Sequence, residues 1–334
     1  MDLWKRYQND MPAFLNAALQ TPPMQRLRQV GMNCGCEYTS FPRFDRCMSY
    51  SRFDHSLGVA TIVWHFTKDP AQTLAGLFHD ISTPTFAHVV DFLHGDYLRQ
   101  ESTEDGTERV IRDSAEIQEI LHDLGLKTSD VCDYHRYPIA DNESPKLSAD
   151  RLEYTLGNLV QFEFGDRETA LALYEDIVVG VNEEGEPELQ FRTKEKAEQF
   201  AEFSLQCAKL YVCDEDRYSM QMLSELLKDA ISQNILTERD LEKTEPAVIQ
   251  SLCSSQCFSE RWQKYCSYRF ILVSKQPQSG GGWRMIHAKK RNIDPLISGL
   301  GRVSAVCPEY GALLNKFRKE SQDYWICGTA DPIG

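Results

Sequence analysis

The sequence predicts a mainly α-helical protein with a C-terminal extension that carries small antiparallel β-hairpins. Helix-start signals and apolar residues at helical spacing fill residues 55 to 160, whereas strand-like alternation bounded by glycine turns occurs only after about residue 176. No internal repeat or long low-complexity linker interrupts the 334 residues, 42% of them apolar, so a large core can be buried. We expect a helical core over residues 1–165 and an α+β extension over 166–334 packed against it.

Asp69 before Pro70 is a cap followed by proline at the first helical position, and Leu74, Leu77 and Phe78 continue at helical spacing up to His79-Asp80. That pair therefore falls at the C-terminal end of its helix. Thr83 before Pro84 repeats the signal and predicts a helix with Phe86, Val89, Val90 and Leu93 on one stripe, closed near Gly95. Ser102 with Asp105, and Ser114 with Gln118, mark two further starts, and Gly125 ends the second of these helices. Ser148 caps another helix and places Asp150 in its first turn, where the helix dipole favours an ionised carboxylate. Asp150, Tyr154 and Asn158 then share a face that can line a pocket.

In the second half, the Ile177–Val181 run, the turn Asn182-Glu183-Glu184-Gly185 and Glu188-Leu189-Gln190-Phe191 predict a hairpin, and a long helix follows Thr193. Phe270-Ile271-Leu272-Val273 is expected to pair with Trp283-Arg284-Met285-Ile286 across Gly280-Gly281-Gly282. A last helix is expected around Tyr310 to Lys319.

A formal net charge of -14 with no long basic stripe argues against a duplex nucleic acid partner. The N-terminus lacks an apolar core of signal-peptide length and no apolar run approaches a bilayer span, so the reading is cytoplasmic, without a membrane partner. Eleven cysteines in a reducing compartment are read as small buried hydrophobes. The spacings Cys34-Gly35-Cys36 and Cys253 to Cys257 with Cys266 lack the paired knuckles of a structural zinc site.

Chemistry concentrates in three segments. His55 sits in Ser51-Arg52-Phe53-Asp54-His55-Ser56-Leu57-Gly58-Val59, His79-Asp80 follows Ala75-Gly76-Leu77-Phe78, and Asp150 opens Asp150-Arg151-Leu152-Glu153-Tyr154. Two imidazoles and two carboxylates from separate helices describe a site for one divalent ion, with octahedral positions left over for water and phosphate oxygens. Such an ion supports phosphate-ester hydrolysis without a protein nucleophile. Mn, Fe, Mg, Ni and Zn all suit these donors; a buried hydrogen-bonded cluster is the alternative. The dipeptide alone says little, since His122-Asp123 repeats it and reads as surface structure.

His88 and Asp91 lie three apart, so the carboxylate can orient the imidazole and raise its pKa, suiting a general acid; a locally satisfied surface histidine is the alternative. His65, His94, His135 and His287 read as structural or exposed. Lys289-Lys290-Arg291 reads as a solvated basic patch, with nucleotide contact in an oligomer as the second reading.

Gln25-Arg26-Leu27-Arg28, the His55 segment, His79-Asp80, Thr85-Phe86-Ala87-His88 and the Asp150 segment, in that order, resemble the HD superfamily of metal-dependent phosphohydrolases. The resemblance runs from about Thr21 to about Asn158 and is closest to the branch of bacterial dGTP triphosphohydrolases and the eukaryotic SAM-and-HD-domain deoxynucleotide triphosphatase. It implies an HD-domain helical bundle, a homo-oligomer, and a manganese-type metallohydrolase acting on a small phosphate substrate. A deoxynucleoside triphosphate is the first choice of nucleotide. A nucleoside monophosphate or other small phosphate ester, or a non-catalytic nucleotide sensor, are the alternatives. It also implies metal ligation by His55, His79, Asp80 and Asp150, proton transfer by His88 with Asp91, phosphate contact by Arg52 and by Arg26 or Arg28, and Tyr154 near sugar or phosphate. For Arg52 a structural salt bridge is the competing role, and for Tyr154 a core position.

Departures from the branch are specific. Ser82-Thr83-Pro84-Thr85 stands where the branch has Gly-His-Gly-Pro, so Thr83 replaces an imidazole, and Glu104 after Thr103 matches a further family histidine and becomes a third catalytic candidate. Residues 29–35 lack the usual Gln-Leu-Gly. An HD-type di-iron oxygenase needs two more imidazoles from His88, His94, His122 and His135, none of which has a ligand context, so one ion per chain is expected.

Overall fold

The computed structural model describes residues 11–45, 47, 50–94, 106–279 and 281–332, with the side chain of residue 94 outside the description. Gly95, Ser102, Thr103, Glu104, Asp105 and Gly280, all named above, lie outside the described residues.

The chain is mainly helical. Two short N-terminal helices, α1 (Ala13–Leu19) and α2 (Pro22–Arg26), precede the pair α3 (Arg52–Thr67) and α4 (Pro70–Phe78). Ser51 and Asp54 form a reciprocal capping box at the start of α3, and Asp69 caps α4 through the amides of Ala71 and Gln72, with Pro70 at the first position. The two helices pack at Gly76, where a Cβ would lie 3.3 Å from methyls of both Val59 and Val63. Their close approach fixes His55 on one helix beside His79 at the end of the other.

Next come α5 (Val89–His94), α6 (Thr107–Asp113), α7 (Ala115–Leu124), α8 (Thr128–Val131), α9 (Ala149–Gln161) and α10 (Arg167–Glu175). Ser114 caps α7 and Gly125 closes it in the left-handed region, as expected. Gln118 does not complete a capping box; its amide instead bonds the Ile111 carbonyl and the Thr128 hydroxyl, tying α7 to its neighbours. Ser148 caps α9 by accepting from the Arg151 amide, which sets Asp150 in the first turn.

One local expectation fails at Thr83-Pro84. The helix begins only at Val89, because Thr83 turns its hydroxyl to Asp80 Oδ1 (2.6 Å) instead of capping, and Phe86 and Ala87 adopt φ of 63° and 48°. Left-handed backbone at such residues costs about 1–2 kcal/mol each. Full burial of the Phe86 ring, edge-on to Tyr38 at 6.1 Å, offsets a comparable amount, about 1.5–3 kcal/mol.

The second half begins with β1 (Ile177–Val181) and β2 (Pro187–Phe191), an antiparallel hairpin in the expected register, followed by α11 (Lys194–Leu210), α12 (Asp214–Ser232), α13 (Glu245–Cys253) and α14 (Gln256–Cys266). Strands β3 (Phe270–Ser274), β4 (Leu296–Ile297) and β5 (Gly301–Arg302), helices α15 (Val303–Val306) and α16 (Pro308–Lys319), and β6 (Trp325–Thr329) complete it. The four-stranded sheet has the order β1-β2-β4-β5. The second expected hairpin is corrected: β3 pairs with β6, not with residues 283–286. Ile326, fully buried in β6, bonds Arg284 across its other edge (2.8 and 2.9 Å), so β6 inserts between the two segments the glycine loop connects.

Three hydrophobic clusters hold these elements. One joins α3 and α9 to α10, α11 and α16 through Val59, Leu156, Phe200 and Phe317; one gathers α5, α12 and α14 around Phe86, Leu223 and Trp262; one packs α1, α4 and α7 around Leu15, Phe78 and Ile117. Helix α3 contributes Val59 to the first and Phe53 to the third, and is wedged between them. Among the described residues, no helix is long and apolar enough to cross a membrane.

Candidate functional site

Four side chains converge where α3, the end of α4 and the start of α9 meet. His55 Nε2 lies 3.1 Å from His79 Nε2 and 3.0 Å from Asp150 Oδ1, and His79 Nε2 lies 3.4 Å from Asp80 Oδ2 and 3.6 Å from Asp150 Oδ1. His55, His79 and Asp80 are all buried and offer donor atoms within 4.8 Å of one another.

The outer nitrogens of both rings fix their tautomers. His55 Nδ1 meets Glu153 Oε2 at 2.5 Å and His79 Nδ1 meets the Gly76 carbonyl at 2.8 Å. Since a carboxylate and a carbonyl only accept, each Nδ1 carries hydrogen and each Nε2 presents a lone pair to the centre. Two lone pairs 3.1 Å apart repel unless a cation lies between them. Donors about 2.0–2.2 Å from one ion sit roughly 3.0 Å apart in adjacent octahedral positions and somewhat farther in a tetrahedron, and the observed spacings fall in that range. The residues present therefore fit one divalent ion.

The charges agree. Burial alone would push the Asp80 carboxyl up, but the Arg52 guanidinium, with His79 and His55 behind it, outweighs burial and holds it well below the usual carboxylate range. Burial opposes ionisation at Asp150 too, and the hydrogen bond with His55 overcomes it. Burial would lower His55, yet its bonds to Asp150 and Glu153 raise it, so the site attracts positive charge at His55 Nε2.

The shell behind the ligands was partly missed in the sequence. Glu153 is buried and also accepts from the Tyr50 hydroxyl. Tyr50 reaches it because position 157 is glycine; a Cβ there would fall 2.5 Å from the phenol oxygen. A second carboxylate three residues after Asp150 was the available signal. Arg52 is buried and bonds Asp80 through Nη1 (2.9 and 3.2 Å), while Thr83 bonds the same carboxylate.

A cavity of about 190 Å³ opens over this centre, lined in part by Arg52, His88, Tyr154, Asn158, Lys289 and Arg291. His88 Nδ1 bonds Asp91 Oδ2 at 2.9 Å, with Asp91 fully buried. The expected upward shift of His88 is corrected: burial, aided by Arg291 and Arg52, outweighs Asp91 and lowers it. Tyr154 lies edge-on to Tyr211 at 6.0 Å, and Tyr211 accepts from Asn158 Nδ2 at 2.6 Å.

Arg26 is a correction. It does not line the cavity; its guanidinium donates to the carbonyls of Thr83 (2.6 Å), Ile81 and Lys243 (3.2 Å each), pinning the loop behind Asp80. Arg28 stacks on Phe53 with its guanidinium carbon 3.6 Å from the ring centre, also away from that cavity. The basic run is corrected as well: Lys289 and Arg291 line the cavity while Lys290 binds the end of α16. His65 meets Tyr174, His135 meets Asp141 and His287 meets Asp323, all in structural contacts outside the cavity lining.

No family model matches the chain. It is 25% identical over 254 residues to the uncharacterized protein YdhJ of Bacillus subtilis, covering 75% of this chain and 74% of that one. It is 28% identical over 148 residues to the metal-dependent phosphohydrolase cns2 of Cordyceps militaris, covering 43% of this chain and 40% of that one. The crystal structure of a hypothetical protein from Aquifex aeolicus superposes with a TM-score of 0.64 at 19% identity, over 95% of this chain and 93% of that one, and shares the fold.

Proposed function

We propose that this chain is an HD-type metal-dependent phosphohydrolase that acts on a nucleotide, with a deoxynucleoside triphosphate as first choice. The observation that carries the reading is the pair of imidazole lone pairs facing each other at 3.1 Å, each fixed by an acceptor on its outer nitrogen and flanked by Asp80 and Asp150. The distant relative named as a metal-dependent phosphohydrolase supports it.

A divalent ion held there supplies Lewis acidity, making water a better nucleophile and offsetting charge that grows on phosphoryl oxygens. The protein does the rest. Glu153 and the Gly76 carbonyl hold the two rings in the productive tautomer. Arg52 keeps Asp80 ionised, and its guanidinium lines the cavity on the side where a phosphoryl oxygen would meet it. His88, oriented by Asp91, exchanges a proton at Nε2 with the reacting group, and Tyr154 and Asn158 form the wall for the remainder of the substrate.

The test incubates metal-loaded protein with pooled nucleotides and small phosphate esters and resolves products by mass. Nucleoside plus triphosphate supports the first choice; orthophosphate from a monophosphate moves the reading to a monoesterase. A protein that binds one ion and nucleotide yet releases nothing is a sensor. One that binds no divalent ion overturns the reading.

A further inference from the structure

The segment that brings Lys289 and Arg291 to the cavity has neither helix nor strand, yet it is held at residues 287, 288 and 290. His287 bonds Asp323 at 2.9 Å, the Ala288 amide donates to Gln322 Oε1 at 2.9 Å, and Lys290 Nζ donates to the carbonyls of Phe317 (2.9 Å), Arg318 (3.3 Å) and Glu320. Those carbonyls are the negative end of α16, so the Lys290 ammonium serves as its C-terminal cap. With residue 290 committed to the helix end, its neighbours on either side go to the cavity. Lys289 is exposed and Arg291 half-buried. Arg291 is close enough for its charge to add to the lowering of His88 by burial and to oppose the upward shift that burial gives Tyr154.

The placement is unusual for the composition. A chain with a formal net charge of -14 brings two cations from a remote segment into the cavity that Asp80, Asp150 and Asp216 line. The ligand carboxylates have another cation to meet: Asp80 is paired with Arg52, and Asp150 faces the ion position 3.0 Å from His55 Nε2. One phosphoryl group at the metal centre already meets the ion and Arg52. The cavity, about 190 Å³, is also larger than one phosphoryl group needs, since one water takes roughly 10–15 Å³.

We propose that Lys289 and Arg291 are specificity-determining residues that clamp a second phosphoryl group, so that the site selects substrates with a phosphoanhydride chain over monophosphates. This rests on the phosphohydrolase reading above. The Lys supplies a mobile point charge at the mouth, and the Arg a planar fork deeper in the cavity, suited to two oxygens of one phosphoryl group.

The test is calorimetric titration of manganese-loaded protein with orthophosphate and pyrophosphate, with the ion count per chain measured after each run. The parent should bind pyrophosphate at least tenfold tighter than orthophosphate. The double variant K289M/R291M should lose that margin while keeping one ion per chain and its orthophosphate affinity, and R291K should keep part of it. A double variant that retains the margin overturns the proposal, as does an equal weakening for both anions. Should the double variant lose its ion, K289M decides, because its side chain lies exposed at the mouth; an unchanged margin there overturns the proposal. Binding is read without turnover, so a clamp that works in a protein that hydrolyses nothing leaves this proposal standing while the hydrolase reading fails.

Discussion

His79-Asp80 and His122-Asp123 are the same dipeptide at the C-terminal end of a helix, and they meet opposite environments. The first pair has side chains 4% and 7% exposed; the second, 90% and 76%. The helices that carry them explain the difference. Helix α4 buries Leu74, Ala75, Gly76, Leu77 and Phe78 in succession, so whatever follows Phe78 is carried inward, whereas α7 is amphipathic, buries Ile117 and Leu121, and leaves residues 122 and 123 on its outer face. Burial then demands compensation. Asp80 receives Arg52 and Thr83, while Asp123 lies exposed with His122 Nδ1 at 3.6 Å. What makes a candidate metal centre of one pair and not the other is an inward helix end with a compensated charge waiting for it.

The largest effect that tests this contrast is Asp80→Ala. It should abolish ion binding and turnover, and in ion-free protein cost about 3–5 kcal/mol, because Arg52 is left buried without its carboxylate. Asp123→Ala should leave ion content and activity unchanged and stability within about 0.5 kcal/mol. Elemental analysis and denaturant midpoints measure both, and similar losses in the two variants would break the comparison.

Two further variants should have smaller effects of distinct kinds. Glu153→Gln keeps the shape but weakens the acceptor that fixes the His55 tautomer, so ion affinity should fall about 10–100-fold, read by competition with a chelator. Unchanged affinity would mean that Glu153 only supports packing with Tyr50. His88→Ala should keep the ion and lower kcat by on the order of a hundredfold; loss of the ion would instead make His88 a ligand.

Most of the helical half was legible because its signals are local. Asp69, Ser114 and Ser148 each cap the helix that follows, and the first and last fix the segments that bring His79-Asp80 and Asp150 together; the Ser51–Asp54 box that starts the His55 helix is as local a signal but was not read as a cap. Where the sequence misled, a tertiary contact outbid a local signal. Pro84 follows a capping residue, but Thr83 is taken by Asp80 and Phe86 by the core; residues 283–286 follow a glycine turn, but β6 arrives from about fifty residues away to take their place. Lys289 and Arg291 belong to the same class. Nothing within their neighbourhood in sequence shows that Lys290 caps a helix more than twenty-five residues on and so turns them inward.

Asp91→Asn should give the smallest effect, and its pH dependence distinguishes the role of His88. Burial and the charges of Arg291 and Arg52 lower His88 from its ordinary value of about 6.5 although Asp91 pulls the other way. An unfolded chain therefore binds this proton more readily than the folded one, so the folded protein loses stability as pH falls below about 6.5. For catalysis the sign is separate. If His88 donates a proton, the free enzyme must carry it, and kcat/KM should fall as pH rises through the lowered pKa and on across neutrality. Removing the Asp91 charge moves that limb to still lower pH, so Asp91→Asn should reduce kcat/KM at neutral pH by less than His88→Ala does, with the loss recovered in part on acidification. A limb that rises with pH instead would make His88 a base, and a limb that does not move in Asp91→Asn would leave Asp91 a purely structural neighbour.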